Sequence, residues 1–436
     1  MPRDARGLDV TASAEAVEHL DRAVAAYCGL RRDAGDHLKA ALTADPRAIM
    51  AQLVKGFFLM LFSTRTATAR ATAAAEAAAA LAGDASERER RHLAALNLWT
   101  RGALAEATAT WHAILQQHPR DLLAVKLGQY GAFYGGDAEA MRAVTGTALA
   151  GYDESVPGYS WVLGSHAFSL EEGGAYDAAE AAGRRAVALD PADIWAAHAV
   201  AHVCEMQDRI EDGVRWIAGQ EGHWGNTNNF RFHAFWHRSL FLLALGRTAD
   251  VLALYDREVR AESTDDYLDI SNAVSLLWRL EETGVDVGGR WAELAQRSRA
   301  HLADHCLVFA DLHYLIALVA AGDEDGVEAW RRSSRAHAEA SGDDAARVLS
   351  EVGLALAEAA IADRRRQWPN VVAALYPVRA AVRAIGGSHA QRDLFDQMLI
   401  RAALEAEPAL ARALLDERLH ARAANPWARG HDRSRR

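Results

Sequence analysis

Cysteine is nearly absent from this chain, with Cys28, Cys204 and Cys306 the only three among 436 residues. Thiols so few and so scattered exclude a disulfide framework and a paired-thiolate zinc site, and each is expected to be a small buried apolar residue. Lysine occurs only at Lys39, Lys55 and Lys126, arginine taking its place elsewhere, which we attribute to genome base composition. No stretch reaches the roughly eighteen apolar residues of a membrane span. The start, Met1, Pro2, Arg3, Asp4, lacks the apolar core of an export signal. These two absences lead us to expect a cytoplasmic protein with no membrane partner. A basic stripe is missing as well: the net charge is −11, which argues against a general nucleic-acid binder. The one basic cluster, Arg429, Arg433, Arg435 and Arg436, reads as a solvated tail. No segment alternates like a strand. No glycine loop followed by Lys and Ser or Thr is present to cradle phosphate, and no strand-to-helix elbow presents a nucleophilic Ser or Cys.

What the chain does have is a recurring turn. Gly102, Gly136, Gly174, Asp208, Gly246, Gly284 and Gly322 follow one another at steps of 34, 38, 34, 38, 38 and 38 residues. Such a period marks a solenoid. After Gly174 come Tyr176, Ala179, Ala186 and Pro191, and after Gly102 come Leu104, Ala107, Ile114 and Pro119 at matching offsets. Each unit therefore reads as helix, tight turn, helix, stop: glycine tolerates positive φ after a helix end, small alanines let two helices approach, and proline ends the second helix. Half of the residues are hydrophobic, and alanine-rich segments such as Ala71 to Ala82 add material for helix-on-helix packing.

This is the logic of the tetratricopeptide repeat. The segments Gly158 to Trp216, His233 to Tyr255 and Gly386 to Leu404 resemble the tetratricopeptide repeat protein 38 family, and the similarity extends over most of the chain. The expected fold is all-α, a right-handed α-solenoid of tetratricopeptide-like helix-turn-helix repeats with helical N- and C-terminal caps. Residues 1–85, which include an apolar helix from Met50 to Phe62 and do not follow the register well, are expected to form the N-terminal cap. Residues 86–335 form the regular array and 336–420 further helices of the same kind. Residues 421–436 are expected to be a disordered basic tail. One connection stands apart, Gly219 to Asn229, which is either a surface loop or a flap carrying His223 and Trp224 over a ligand.

The turns also serve as a ruler. In such arrays the first helix of each unit lines the concave groove, and eight to ten residues before the markers lie His92, His166, His198, His237 and His313. With 18 histidines in 436 residues, composition would place about one there. Two of the five have a second histidine one helical turn away, giving the pairs His198 with His202 and His233 with His237. Spacing of four puts both imidazoles on one helix face, and the pairs lie 35 residues apart, on adjacent first helices. Imidazoles so placed are candidate ligands for zinc, iron, manganese or copper. Glu205 is a candidate ligand or proton-transfer residue, His313 a further candidate, and Asp311 a residue that either takes part in catalysis or orients an imidazole. His166, Trp161, Trp195, Trp236, Arg238, Asn272, Arg279 and Tyr314 are candidate walls of a small-molecule or peptide pocket, the aromatics being also ordinary helix-packing residues. No Glu follows the first His of either pair, so the zinc-protease signature is absent.

Two functions compete. One is a metal-dependent enzyme or binder acting on a small molecule or peptide in the groove, with hydrolysis as the reaction that demands no further cofactor. The other is a non-catalytic tetratricopeptide scaffold holding a partner peptide. A homo-oligomer is compatible with either.

Overall fold

The computed structural model of the chain describes residues 1–432. It is helical throughout, with no β-strand among the described residues and only two isolated bridges, Arg3 with Asp9 and Arg31 with Thr227. Contacts divide it into two compact units, Met1–Val200 with Gln220–Arg231, and Ala201–Gly219 with Phe232–Arg436.

The first unit is a run of helical hairpins: α1 (Ala14–Cys28) with α2 (Ala34–Ala44), α3 (Ile49–Met60) with α4 (Arg65–Ala79), α5 (Glu87–Thr100) with α6 (Leu104–Gln117), α7 (Leu122–Tyr134) with α8 (Ala138–Leu149), and α9 (Tyr159–Glu172) with α10 (Tyr176–Leu189). Next come α11 (Ile194–Met206), a continuous helix in which the boundary falls, and α12 (Ile210–Gln220). The second unit continues with α13 (Phe230–Ala244), α14 (Thr248–Leu254) ending in a π-turn at Tyr255–Val259, α15 (Tyr267–Glu282), α16 (Arg290–Ser298), α17 (Val308–Ala321) and α18 (Glu324–Ala340). α19 (Asp344–Val348) runs through a π-turn at Leu349–Gly353 into α20 (Leu354–Arg364), and α21 (Trp368–Leu375) into a 3-10 stretch, Tyr376–Ile385. α22 (His389–Ala406), α23 (Pro408–Ala421) and α24 (Pro426–His431) complete it.

All seven marker residues adopt positive φ, from 65° to 82° at the six glycines and 54° at Asp208. The hydrogen bonds explain the geometry. At all seven the next residue's N–H donates to a carbonyl five residues back, as in Ala103 to Leu98 at 3.0 Å and Arg209 to Cys204 at 2.9 Å. This closes a helix C-terminus whose carbonyls are otherwise unsatisfied, and it requires the left-handed conformation that glycine adopts most cheaply. The register also extends past the glycines. Leu30, Ser63 and Arg366 have φ of 54°, 52° and 55°, and at Leu30 and Arg366 the same back-bond forms, Arg31 to Ala26 at 2.7 Å and Gln367 to Ala362 at 2.9 Å. Residues 1–85, expected to lie outside the register, are thus two further hairpins whose turns carry Leu and Ser in place of glycine.

Packing around α13 fixes the second unit locally. Phe241 and Trp236 are fully buried, each side chain contributing roughly 1.5–3 kcal/mol of burial. Gly213 on α12 faces Phe241 so closely that a Cβ there would lie 2.3 Å from its ring. Further on, Arg279 of α15 donates to the Ala390 carbonyl of α22 at 3.0 Å, and Trp278 donates its indole N–H to Asp363 of α20 at 3.3 Å.

Residues 426–431 form the short helix α24: Asn425 caps it by accepting from Ala428 N–H at 3.1 Å, Pro426 starts it, and Asn425 donates to Asp208 at 3.0 Å. Arg422 also grips the Asp208 carboxylate, which gives a reason for aspartate where the other markers are glycine. The tail arginines Arg433, Arg435 and Arg436 lie outside the described residues. The connection Gly219 to Asn229 is not an open flap, because Trp224 and Thr227 are buried, Arg32 donates to the Thr227 carbonyl at 2.8 Å, and Asn228 N–H to the Leu30 carbonyl at 2.8 Å. Cys28 and Cys204 are buried as expected, whereas Cys306 is exposed.

Candidate metal centre

The two histidine pairs occupy one face each of α11 and α13. The rings of His202 and His237 stand 4.4 Å apart and those of His233 and His237 4.8 Å, both edge-on. His198 lies one turn before His202 on α11, packed against the rings of Phe168, Trp195 and Phe230 at 5.1–5.3 Å. Within the second unit, one ligand nitrogen from each of His202, His233 and His237 lies within 4.8 Å of the others, and the three side chains are at most 3% exposed. Nitrogens at about 2.0–2.1 Å from a tetrahedral ion stand about 3.4 Å apart, so the rings would have to draw closer together to hold one metal.

Neighbouring side chains orient the rings. His233 Nδ1 is 2.9 Å from Asn272 Oδ1 on α15. With that oxygen as acceptor, Nδ1 carries the proton and Nε2 keeps its lone pair for a ligand. Trp236 stacks on His233 at 5.2 Å and 14°, and is itself fixed by donating its indole N–H to Ser275 Oγ at 3.0 Å. Arg279 bonds the Ser275 carbonyl and lies 5.9 Å from the Trp236 ring. Burial, the largest influence, keeps His202 and His237 well below the ordinary histidine range, and each is lowered further by neighbouring imidazoles. Burial likewise lowers His233 to about 4, partly opposed by its bond to Asn272. Imidazoles that are neutral at pH 7 have the form a metal requires.

Glu171 and Glu172, at the end of α9 three and two residues before Gly174, are buried.

The remaining candidates are dispersed. Glu205, three residues beyond His202, pairs with Arg422 at 3.5 Å; burial raises its carboxyl pKa, opposed by that arginine. His313 bonds the Phe309 carbonyl at 2.8 Å, and burial lowers it to about 4. Asp311 does orient an imidazole, but that of His305, at 3.2 Å, whose other nitrogen meets Ser333 Oγ at 2.8 Å. Asp311 and His313 thus have partners of their own outside the four-histidine group. Tyr314 stacks on His301 at 4.7 Å. His166 bonds Thr145 at 3.0 Å, Trp161 donates to Asp190 at 3.2 Å, and Trp195 packs under Lys126, whose Nζ lies 4.1 Å from the ring. Of the expected pocket walls, Trp236, Asn272 and Arg279 lie on or directly behind the histidine group, Trp195 packs beside His198, and Arg238 follows His237 on α13.

His92, at the same level of the register, is bound differently: its Nε2 lies 2.9 Å from Asp121, which also pairs with Arg88 at 2.8 Å, all three being buried. Among the described residues no helix is long and apolar enough to cross a membrane. No known protein-family model matches the chain, so the conclusions about this centre rest on its own residues.

Proposed function

We propose that the chain binds one divalent first-row transition metal through His202, His233 and His237, with His198 completing the set, and acts as a metal-dependent hydrolase on a small molecule. The observation that carries this reading is the gathering of three buried, neutral imidazoles, those of His202, His233 and His237, from two helices. An all-imidazole set suits zinc, iron or copper, and manganese less well, whereas magnesium and calcium prefer oxygen. Such a metal supplies Lewis acidity and a water acidic enough for hydrolysis at neutral pH. The chain's own part is to hold the donors: Asn272 sets the His233 tautomer, Trp236 fixes that ring's plane, and burial keeps the nitrogens unprotonated. A tetratricopeptide type of repeat fits the helical hairpins and their left-handed turns.

The test is elemental analysis of protein purified without a histidine tag. About one zinc, iron, copper or manganese per chain is expected, falling to background in His202→Ala/His237→Ala while the variant's helical circular dichroism persists. A metal-free wild type that also fails to take up added zinc would overturn the proposal and leave the partner-binding scaffold as the better account.

A further inference from the structure

Around the start of α17 three histidines of the second unit each meet a carboxylate: His301 Nδ1 meets Asp304 at 2.7 Å, His337 Nε2 meets Asp343 at 3.2 Å, and His305 Nδ1 meets Asp311 at 3.2 Å. Of the three, only His305 sets its second ring nitrogen on a hydroxyl, its Nε2 lying 2.8 Å from Ser333 Oγ. Three elements bring this line of groups together. The loop after the 3-10 turn Arg299–His301 carries His305, the first turn of α17 carries Asp311, and α18 carries Ser333. α17 packs against both α18 and the 3-10 turn, which holds the three in register. His305 takes φ of 46°, a conformation disfavoured for any residue with a Cβ, and backbone of that kind gathers at functional sites. His305 and Asp311 are buried at 2% and 1% exposure, whereas Ser333 is half-buried. Burial raises the Asp311 carboxyl from its ordinary 3.8, opposed first by its hydrogen bond to His305. Ionised, Asp311 accepts from Nδ1–H and leaves the Nε2 lone pair to take the Ser333 proton.

A hydroxyl, a base within hydrogen-bond reach of it and a carboxylate that orients the base make up the arrangement that activates a serine, whatever fold carries it. We propose that Ser333, His305 and Asp311 form an acyl-transfer site that hydrolyses small, unhindered esters, with Ser333 as nucleophile, His305 as base and Asp311 as the positioning residue. Ser333 Oγ bonds to the acyl carbon as its proton passes to His305 Nε2. The bond from that carbon to the alcohol oxygen then breaks, and the departing alkoxide takes the proton. Water, deprotonated by the same nitrogen, attacks the acyl-serine; the Oγ–acyl bond breaks, Ser333 recovers the proton and the carboxylic acid leaves. Because the base and its orienting carboxylate are enclosed, attack is confined to the open side of Ser333, which a slim acyl group reaches. The inference does not depend on the metal reading above.

Incubation of the full chain with a fluorophosphonate tests the inference. Ser333 Oγ should displace fluoride, and peptide mass spectrometry should find the adduct on Ser333. The chain should also hydrolyse p-nitrophenyl acetate. Ser333→Ala should abolish both reactions, and His305→Gln should slow both by about 10²-fold or more while helical circular dichroism persists, since a positioned base typically contributes that much. Asp311→Asn should lower kcat by a similar factor and leave KM near the wild-type value, because the carboxylate touches the base and not the ester. Chelation with EDTA and His202→Ala/His237→Ala should leave labelling of Ser333 intact, so this site and the metal centre succeed or fail separately. Should the variants of the two buried residues fail to fold, the wild type and Ser333→Ala still decide. No adduct in the wild type, an adduct only on other residues, or undiminished ester hydrolysis in Ser333→Ala would overturn the inference.

Discussion

His92 and His237 stand ten and nine residues before their turn glycines, on the first helices of equivalent hairpins in different units, yet they are bound in opposite ways. His92 of the first unit faces a carboxylate, Asp121, which Arg88 also holds. His237 of the second faces two further imidazoles, His202 and His233. One repeat position thus supports a buried ion network in one unit and a set of neutral lone pairs in the other. The position sets where an imidazole goes, and its neighbours differ: a carboxylate and a guanidinium in one unit, two further imidazoles in the other.

Removing the carboxylate should break the first half of the comparison with the largest effect on stability. Asp121→Ala leaves Arg88 and His92 buried without their shared anion, which should cost about 3–5 kcal/mol in denaturant unfolding. Metal content should be unchanged; a loss of metal in this variant would mean the two histidine environments are not independent.

The orienting residue of the second unit should act on affinity. Asn272→Ala frees the His233 tautomer, and the metal dissociation constant should rise about 10- to 100-fold in chelator competition. An unchanged constant would remove Asn272 from the centre.

Acid should separate the units in order. His313 has its pKa lowered from near 6.5 to about 4 by burial, so its contribution is present above pH 6.5 and is lost as pH falls from there to 4. Burial alone would raise Asp121, but His92, Arg88 and the Ala124 amide overcome it and hold the carboxyl far below its ordinary 3.8; its contribution is lost only below that pH. Amide exchange should therefore rise in α17 before it rises in α5 and α7. The reverse order would contradict the assignment of these groups.

The smallest effect concerns the turns that both units share. Arg366 is exposed and holds φ of 55°, a conformation costly for any residue with a Cβ. Arg366→Gly should raise stability by roughly 0.5–1 kcal/mol, whereas Gly174→Ala should lower it by about as much, both read from denaturation midpoints.

These particulars show what a sequence of this kind discloses. The hairpins were legible because glycine is the cheap residue at a left-handed helix end, and the hairpins missed were those where Leu30 and Ser63 bear that conformation instead. The histidine pairs were legible because spacing of four defines one helix face. The 35-residue step between the pairs also placed them on adjacent helices facing one cavity, whereas the ion network that occupies His92 was not legible. Asp311 meets the imidazole of His305, which lies in a loop that no helical spacing reveals.

X-ray absorption at the metal edge of untagged, metal-loaded protein tests the central claim most directly. The account predicts three or four imidazole nitrogens at about 2.0–2.1 Å and loss of that shell in His202→Ala/His237→Ala. A spectrum showing sulfur or all-oxygen ligation, or one unchanged in the double variant, would contradict it.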